Sequence, residues 1–185
     1  MLENWRADLA RYRRYGSRTP AWRLCLEHQG LWAVACYRVG NHLDRHRLPP
    51  VLHQIARIFY HAWRKWVEMA TGICISSDAT IGPGLYIGHT GQIIVHTDAV
   101  IGRDCNLSQG VTIGLGQRDG RWGVPVIGDR VYVAPGAKVF GPIRLADGTV
   151  VGANAVLNRD TDENAVVAGN PAQVISHKGS GEYIV

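Results

Sequence analysis

The chain has 185 residues, is 46% apolar and carries a formal net charge of +5. Nothing in it approaches the ~20 consecutive apolar residues that span a bilayer, and the composition is not that of a disordered segment. The length suits one compact domain with a small appendage, and the four cysteines (Cys25, Cys36, Cys74 and Cys105) form no CxxC pair and no disulfide framework.

The charge is unevenly placed. Residues 1–70 hold 12 Lys/Arg and 5 Asp/Glu, a net +7, whereas residues 71–185 hold 8 and 10, a net −2. Five of the six tryptophans also lie in the first 70 residues. The chain is therefore divided into an α-helical region over 1–70, a repeat domain over 71–175 and a tail over 176–185. The N-terminal stretch has charges where a signal peptide needs an apolar centre, which sets the expectation of a cytoplasmic chain with free thiols.

Leu2, Trp5, Leu9 and Tyr12 predict a first short helix. A second is expected from Thr19-Pro20, with Thr19 as N-cap and Pro20 as the first helical residue. Pro49-Pro50 then opens a run with 3–4 residue apolar spacing: Val51, Leu52, Ile55, Ile58, Phe59, Ala62, Trp66 and Met69. Arg57, His61, Arg64 and Lys65 mostly fall off that stripe.

From Ile75 the period becomes six. Ile75, Ile81 and Ile87 are followed by Val95, Ile101, Leu107 and Ile113, then by Ile127, Val133, Val139, Leu145, Val151 and Leu157. Two phase shifts interrupt the series, of two residues before Val95 and eight before Ile127. Gly or another small residue often follows each aliphatic (Gly82, Gly88, Gly102, Gly128, Gly152). A second small or aliphatic set stands four residues on: Ala79, Leu85, Ala99, Cys105, Val111, Val131, Ala137 and Ala155. This is the hexapeptide periodicity of a β-helix. Each unit is a short strand and a turn, three units close a triangular coil, and stacked coils pair through parallel backbone hydrogen bonds. The fold class expected is mainly β, a parallel β-helix preceded by a small helical region.

Interruptions are where a solenoid makes a site. The first carries Gly88-His89-Thr90-Gly91; the second extrudes a loop from Leu115 to Pro125. They lie about one and a half coils apart, near enough for neighbouring subunits to build one cleft.

Ile87-Gly-His-Thr-Gly-Gln-Ile-Ile-Val95, Asp98-Ala-Val-Ile-Gly102, Leu107-Ser-Gln-Gly-Val-Thr-Ile-Gly-Leu-Gly116 and the ending Val167-Ala-Gly-Asn-Pro-Ala-Gln-Val174 together resemble the serine acetyltransferase family. The resemblance runs over residues 68–175. It implies a homotrimer of left-handed β-helices, acetyl-CoA bound between adjacent prisms, and His89 as the general base on an acceptor hydroxyl; no metal is expected, because a zinc-binding β-helix needs three histidines and only His89 and His96 lie in the repeat region. A hydroxyl is a poor nucleophile at neutral pH, and a positioned imidazole contributes roughly 10²–10⁴-fold.

Three positions depart from the family pattern. Gly88 and Cys74 stand where the family has Asp, and Val124, before Pro125, stands where it has the His of an Arg-His pair. Those groups recognise a zwitterionic amino acid, so a sugar hydroxyl is expected as acceptor. The same short plan resembles acetyltransferases of polysaccharide biosynthesis, the colanic acid type. Gly88, Arg118, Asp119, Arg121 and Trp122 are the expected acceptor-binding residues, with Trp122 as an aromatic platform. Gly114, Gly116, Ala134, Gly136, Ala153, Lys138 and Lys178 are expected to hold CoA, with Asn170-Pro171-Ala172 closing over it. The alternatives are L-serine as acceptor, or a catalytically silent β-helix subunit. The basic, Trp-rich N-terminal region fits the inner face of an anionic membrane, or equally a cap packed in the trimer. No nucleic-acid motif accompanies its charge.

Overall fold

The computed structural model describes residues 2–16, 19–46 and 48–184. Four helices come first: α1 (Leu2–Gly16), α2 (Ala21–Glu27), α3 (Gln29–Arg45) and α4 (Pro50–Thr71). α4 starts with Pro50 in its first turn, where a missing N–H leaves no bond unmade. It ends where Gly72 takes φ 68° and ψ 17°, its N–H closing on the Glu68 carbonyl. The start of α2 corrects the expectation. Pro20 is itself the N-cap, extended at φ −66° and ψ 149°, and makes no side-chain cap hydrogen bond.

From Ile73 the chain winds into a left-handed parallel β-helix of about five turns. Face A stacks β1 (Ile73–Ile75), β4 (Ile93–Val95), β7 (Thr112–Gly114), β12 (Lys138–Phe140) and β15 (Val156–Leu157). Face B stacks β2 (Thr80–Ile81), β5 (Val100–Ile101), β10 (Val126–Ile127) and β13 (Arg144–Leu145). Face C stacks β3 (Tyr86–Ile87), β6 (Asn106–Leu107), β11 (Tyr132–Val133), β14 (Val150–Val151) and β16 (Val166–Gly169), closed by antiparallel β17 (Ala172–Ser176).

All thirteen aliphatics of the six-residue series are buried, and they register in three columns. Ile75, Val95, Ile113, Val139 and Leu157 line up behind face A. Ile81, Ile101, Ile127 and Leu145 do so behind face B, and Ile87, Leu107, Val133 and Val151 behind face C. The second set, from Ala79 to Ala155, fills the corners at 1% exposure or less. The register steps between coils gain two residues after β3 and eight after β7, as the phase shifts require.

The lower edge of the first coil has no strand beneath it, and an unpaired buried edge is costly. Side chains of α1 and α3 take the place of the missing coil. Tyr37 donates to the Ala79 carbonyl at 2.8 Å and accepts from the Ile81 N–H at 3.0 Å. Arg38 donates to the carbonyls of Ile81 (2.7 Å) and Gly82 (2.6 Å) while paired with Asp8. Asp8 accepts the Gly84 and Leu85 N–H groups at 2.9 Å each. Burial pushes the Asp8 carboxyl above its ordinary value, against the pull of Arg38 and the two N–H donors.

The apolar stripe of α4 faces outward. Its buried residues are Tyr60, Val67 and Thr71, while Val51, Leu52, Ile55, Ile58, Phe59, Trp66 and Met69 are exposed.

Candidate active site

The first register gain is a bulge over residues 88–92 at the corner between faces C and A. Gly91 and Gln92 take positive φ (114° and 49°), which turns the chain outward. The bulge is tied to the end of α4: the Gly91 N–H donates to the Thr71 carbonyl at 3.0 Å and the Ile93 N–H to the Gly72 carbonyl at 3.2 Å. His89 stands exposed on it.

Beside His89 lies a cleft of about 200 Å³, bounded by Tyr86, Gly88, Asn106, Leu107, Ser108, Tyr132 and Tyr183. No carboxylate, Lys or Arg lines it. Tyr183, from the C-terminal segment, stacks on Tyr132 with ring centroids 4.8 Å apart and planes 7° from parallel. Asn106 joins the two ends of the chain there. Its amide donates to the Tyr183 carbonyl at 3.0 Å, and its Oδ1 accepts from Arg11 of α1 at 2.7 Å. Among the described residues of the single chain, no hydrogen bond to the His89 ring is present. Sequence reasoning passed over this wall. The signal for part of it was available, since Tyr86, Asn106 and Tyr132 each stand one before the inward aliphatic of the third unit in a coil, and so share one outward column.

Above His89 the same corner is built of small residues. The Gly110 N–H donates to the Gly91 carbonyl (2.8 Å), Gly136 to Gln109 (2.9 Å) and Asn154 to Pro135 (2.9 Å), a ladder running up the prism edge. Gly136 sits at φ 76°, and a Cβ there would come within 2.0 Å of Asn154 Oδ1. Of the residues expected to hold CoA, Ala134, Gly136 and exposed Ala153 belong to this ladder. Lys138 leans into it, its Nζ 2.5 Å from the Gly110 carbonyl and 3.2 Å from Thr112 Oγ1. Gly114 and Gly116 do not belong to it, because they lie across face A at the corner with face B. Lys178 is exposed beyond β17, and Asn170-Pro171-Ala172 form the turn between β16 and β17.

The second register gain is a hairpin of β8 (Gly116–Arg118) and β9 (Arg121–Gly123). Asp119 and Gly120 both take positive φ (51° and 76°), the two-residue turn that an Asp-Gly pair favours. Arg118, Asp119 and Arg121 border a depression of their own with Pro142, apart from the His89 cleft. Arg118 is tied down by Asp160 at 2.9 Å, and Trp122 is 65% exposed. The Arg144 N–H holds the Asp160 carboxyl below its ordinary value, against the upward push of burial and with the hydrogen bond and charge of Arg118 adding to the lowering. Within one chain, then, only Gly88 of the expected acceptor-binding residues meets His89.

Cys74 sits outward on face A beside Ile94, and its thiol lies 3.6 Å from the Glu68 carboxylate. Burial pushes the Glu68 carboxyl up, but hydrogen bonds from Arg64 and Lys65 outweigh it and hold the group below its ordinary value. Val124 packs against the hydrophobic core.

No protein-family model matches the chain. It is 35% identical over 176 residues to the serine acetyltransferase of Mycobacterium tuberculosis, covering 95% of this chain and 73% of that one. It is 34% identical over 159 residues to the serine acetyltransferase of Helicobacter pylori, covering 84% and 86%. A solved structure of a serine acetyltransferase in complex with CoA superposes with a TM-score of 0.77 at 26% identity, over 94% of this chain and 69% of that one. Another in complex with cysteine gives 0.78 at 26% identity, over 95% and 65%. With identity of this order over most of its length, the chain belongs to the serine acetyltransferase family of hexapeptide-repeat, acetyl-CoA-dependent acyltransferases.

Proposed function

We propose that the protein transfers the acetyl group of acetyl-CoA to the hydroxyl of L-serine, with His89 as general base. The observation that carries the reading is the one just given, a 35% identity to a serine acetyltransferase over 95% of the chain, with His89 at the foot of the small-residue corner. The imidazole takes the hydroxyl proton as the oxygen attacks the thioester carbonyl. The tetrahedral oxyanion collapses, the C–S bond breaks, and the imidazolium returns its proton to the departing CoA thiolate. The corner ladder of Ala134, Gly136 and Ala153 lets the extended cofactor lie close to backbone, and fixing both reactants supplies the proximity.

The active unit on this reading is a homotrimer. The hairpin with Arg118 and Arg121 and the bulge with His89 leave one prism at different corners, so a three-fold packing that sets one chain's hairpin beside the next chain's bulge completes the site. That supplies the serine carboxylate with a cation the single-chain cleft lacks.

A neutral sugar hydroxyl is the second reading, and the observation favouring it is the cleft itself. Tyr86, Asn106, Ser108, Tyr132 and Tyr183 offer rings and hydrogen-bonding groups but no counter-charge. Thiol release from acetyl-CoA by purified protein separates the two, with L-serine run against a panel of neutral sugars. Turnover of L-serine at millimolar concentration with sugars inert supports the first; the reverse pattern overturns it.

A further inference from the structure

A segment as short and polar as Gly179-Ser-Gly-Glu-Tyr183 usually drifts unless something ties it down, and here several bonds hold it against face C. The Gly179 N–H donates to the Asn164 carbonyl at 3.0 Å, and Ser180 Oγ donates to the Arg130 carbonyl at 2.5 Å. The Asn106 amide donates to the Tyr183 carbonyl at 3.0 Å, and the Arg130 guanidinium to that of Ile184 at 3.4 Å. The Tyr183 and Ile184 N–H groups both close on the Ser180 carbonyl (2.9 and 3.0 Å), which makes the segment one tight turn. Ser180 and Ile184 are 2% and 3% exposed. Asn106 is fixed in its turn: its Oδ1 accepts from Arg11, a buried side chain that also donates to the Gly84 carbonyl at 3.2 Å. The frame that presents Tyr183 is therefore anchored in the prism and in α1 together.

We infer that Tyr183 is a specificity-determining residue of the acceptor site, its ring limiting the acceptor to a compound no larger than a single sugar ring. Three observations lead there. The ring lies flat on Tyr132 and forms a wall of the cleft that His89 borders. An aromatic side chain has only two χ angles to spend, so a ring stacked on a strand residue and held by its own backbone is a stiff wall. The cleft is about 200 Å³, below the roughly 300 Å³ at which sites for drug-sized ligands begin. With no carboxylate, Lys or Arg lining it, size and neutral hydrogen bonds are what the cleft of one chain has to sort acceptors by. The inference rests on the reading of His89 as the general base, because the cleft receives the acceptor only if the base stands at its edge. It does not depend on whether that acceptor is L-serine or a sugar.

Thiol release from acetyl-CoA by the full chain tests this in wild type, Tyr183→Ala and Tyr183→Phe, with His89→Ala as the control. Each short acceptor is paired with a longer one of its own class, L-serine with L-homoserine and glucose with maltose. Tyr183 is 46% exposed outside the prism, so both variants keep the fold, which circular dichroism checks. Wild type is expected to favour the shorter member of the pair it uses. In Tyr183→Ala the kcat/KM ratio of longer to shorter acceptor is expected to rise at least about tenfold, with KM for acetyl-CoA unmoved, and Tyr183→Phe is expected to restore the wild-type ratio because the stack remains. An unchanged ratio in Tyr183→Ala overturns the inference even if total activity falls, since the turn then only braces the prism. A wild type that uses the longer acceptor as well as the shorter overturns it too, and one inert with all four overturns it together with the proposed function. Activity that persists in His89→Ala strikes the reading of the base instead, and transfer to glucose with L-serine inert strikes only the choice of acceptor, the size limit then being read from maltose.

Discussion

The hydroxyl of Tyr12 lies 3.0 Å from both the amide nitrogen and the carbonyl oxygen of Ile87, accepting from one and donating to the other. Tyr12 is fully buried, so burial pushes its hydroxyl well above the ordinary value and it stays protonated. Ile87 is two residues before His89. A helix from the other end of the sequence thus fixes the strand from which the bulge departs.

Tyr12→Phe removes both bonds and leaves two buried backbone groups without that partner. The expected cost is roughly 1–3 kcal/mol, read by urea denaturation. Acetyl transfer at saturating substrates is expected to fall as well, because the bulge loses its lower anchor; stability equal to wild type would show that water replaces the hydroxyl.

His89→Ala and Ala153→Asp should separate chemistry from donor binding. Both positions are exposed, so neither change disturbs the core. Loss of the base lowers the rate by about a hundredfold or more with CoA affinity intact. The new carboxylate on the corner ladder repels the cofactor's phosphates, and isothermal titration with CoA should show at least about tenfold weaker binding, with 1.4 kcal/mol the equivalent. Unchanged affinity would place the donor elsewhere.

Asp160 links the hairpin to the prism through Arg118 and the Arg144 N–H. Its folded-state pKa is depressed, so the tether is fully present above the ordinary aspartate value and is lost as pH falls through the lower folded value. Asp160→Asn imitates the acid state at neutral pH. Trypsin is expected to cut after Arg118 and Arg121 several-fold faster in that variant than in wild type.

Thiol accessibility should divide the cysteines in two. Burial pushes Cys36 up to about 11 and Cys105 up to about 12, and both are nearly inaccessible. Cys25 and Cys74 are part-exposed. Ellman's reagent at pH 8 should therefore titrate two thiols per native chain and four in denaturant. Four fast thiols in the native protein would contradict the burial.

The repeat was legible because its signal is chemical. One aliphatic per six residues has a single physical use, and the two register gains follow from counting. Between Leu115 and Pro125 the spacing predicts only an extruded loop, although Asp119-Gly120 is a pair that favours a hairpin turn. What the sequence concealed depends on the missing neighbour. Asp8 and Arg11 read as ordinary polar residues of a short helix, and Tyr12 as part of its apolar spacing, until the open edge of the first coil is placed beside them, when all three become its hydrogen-bond partners. Tyr183 is far from His89 in sequence, and nothing in the tail announces that it folds back on Tyr132. The stripe of α4 was visible as a period, but a period carries no direction.

A parallel β-helix is by geometry an open-ended rod, in which any coil is a template for the next. Here the bottom rung offers a newcomer no vacant donors or acceptors where Tyr12, Asp8, Tyr37 and Arg38 already hold its backbone groups. The top rung of face C is covered by an antiparallel strand that no further parallel coil can follow. The rod is therefore plugged at its lower end and along face C at its upper end. Chains that meet there cannot fuse end to end into fibrils, although the fold between the two plugs has the pairing pattern from which fibrils grow.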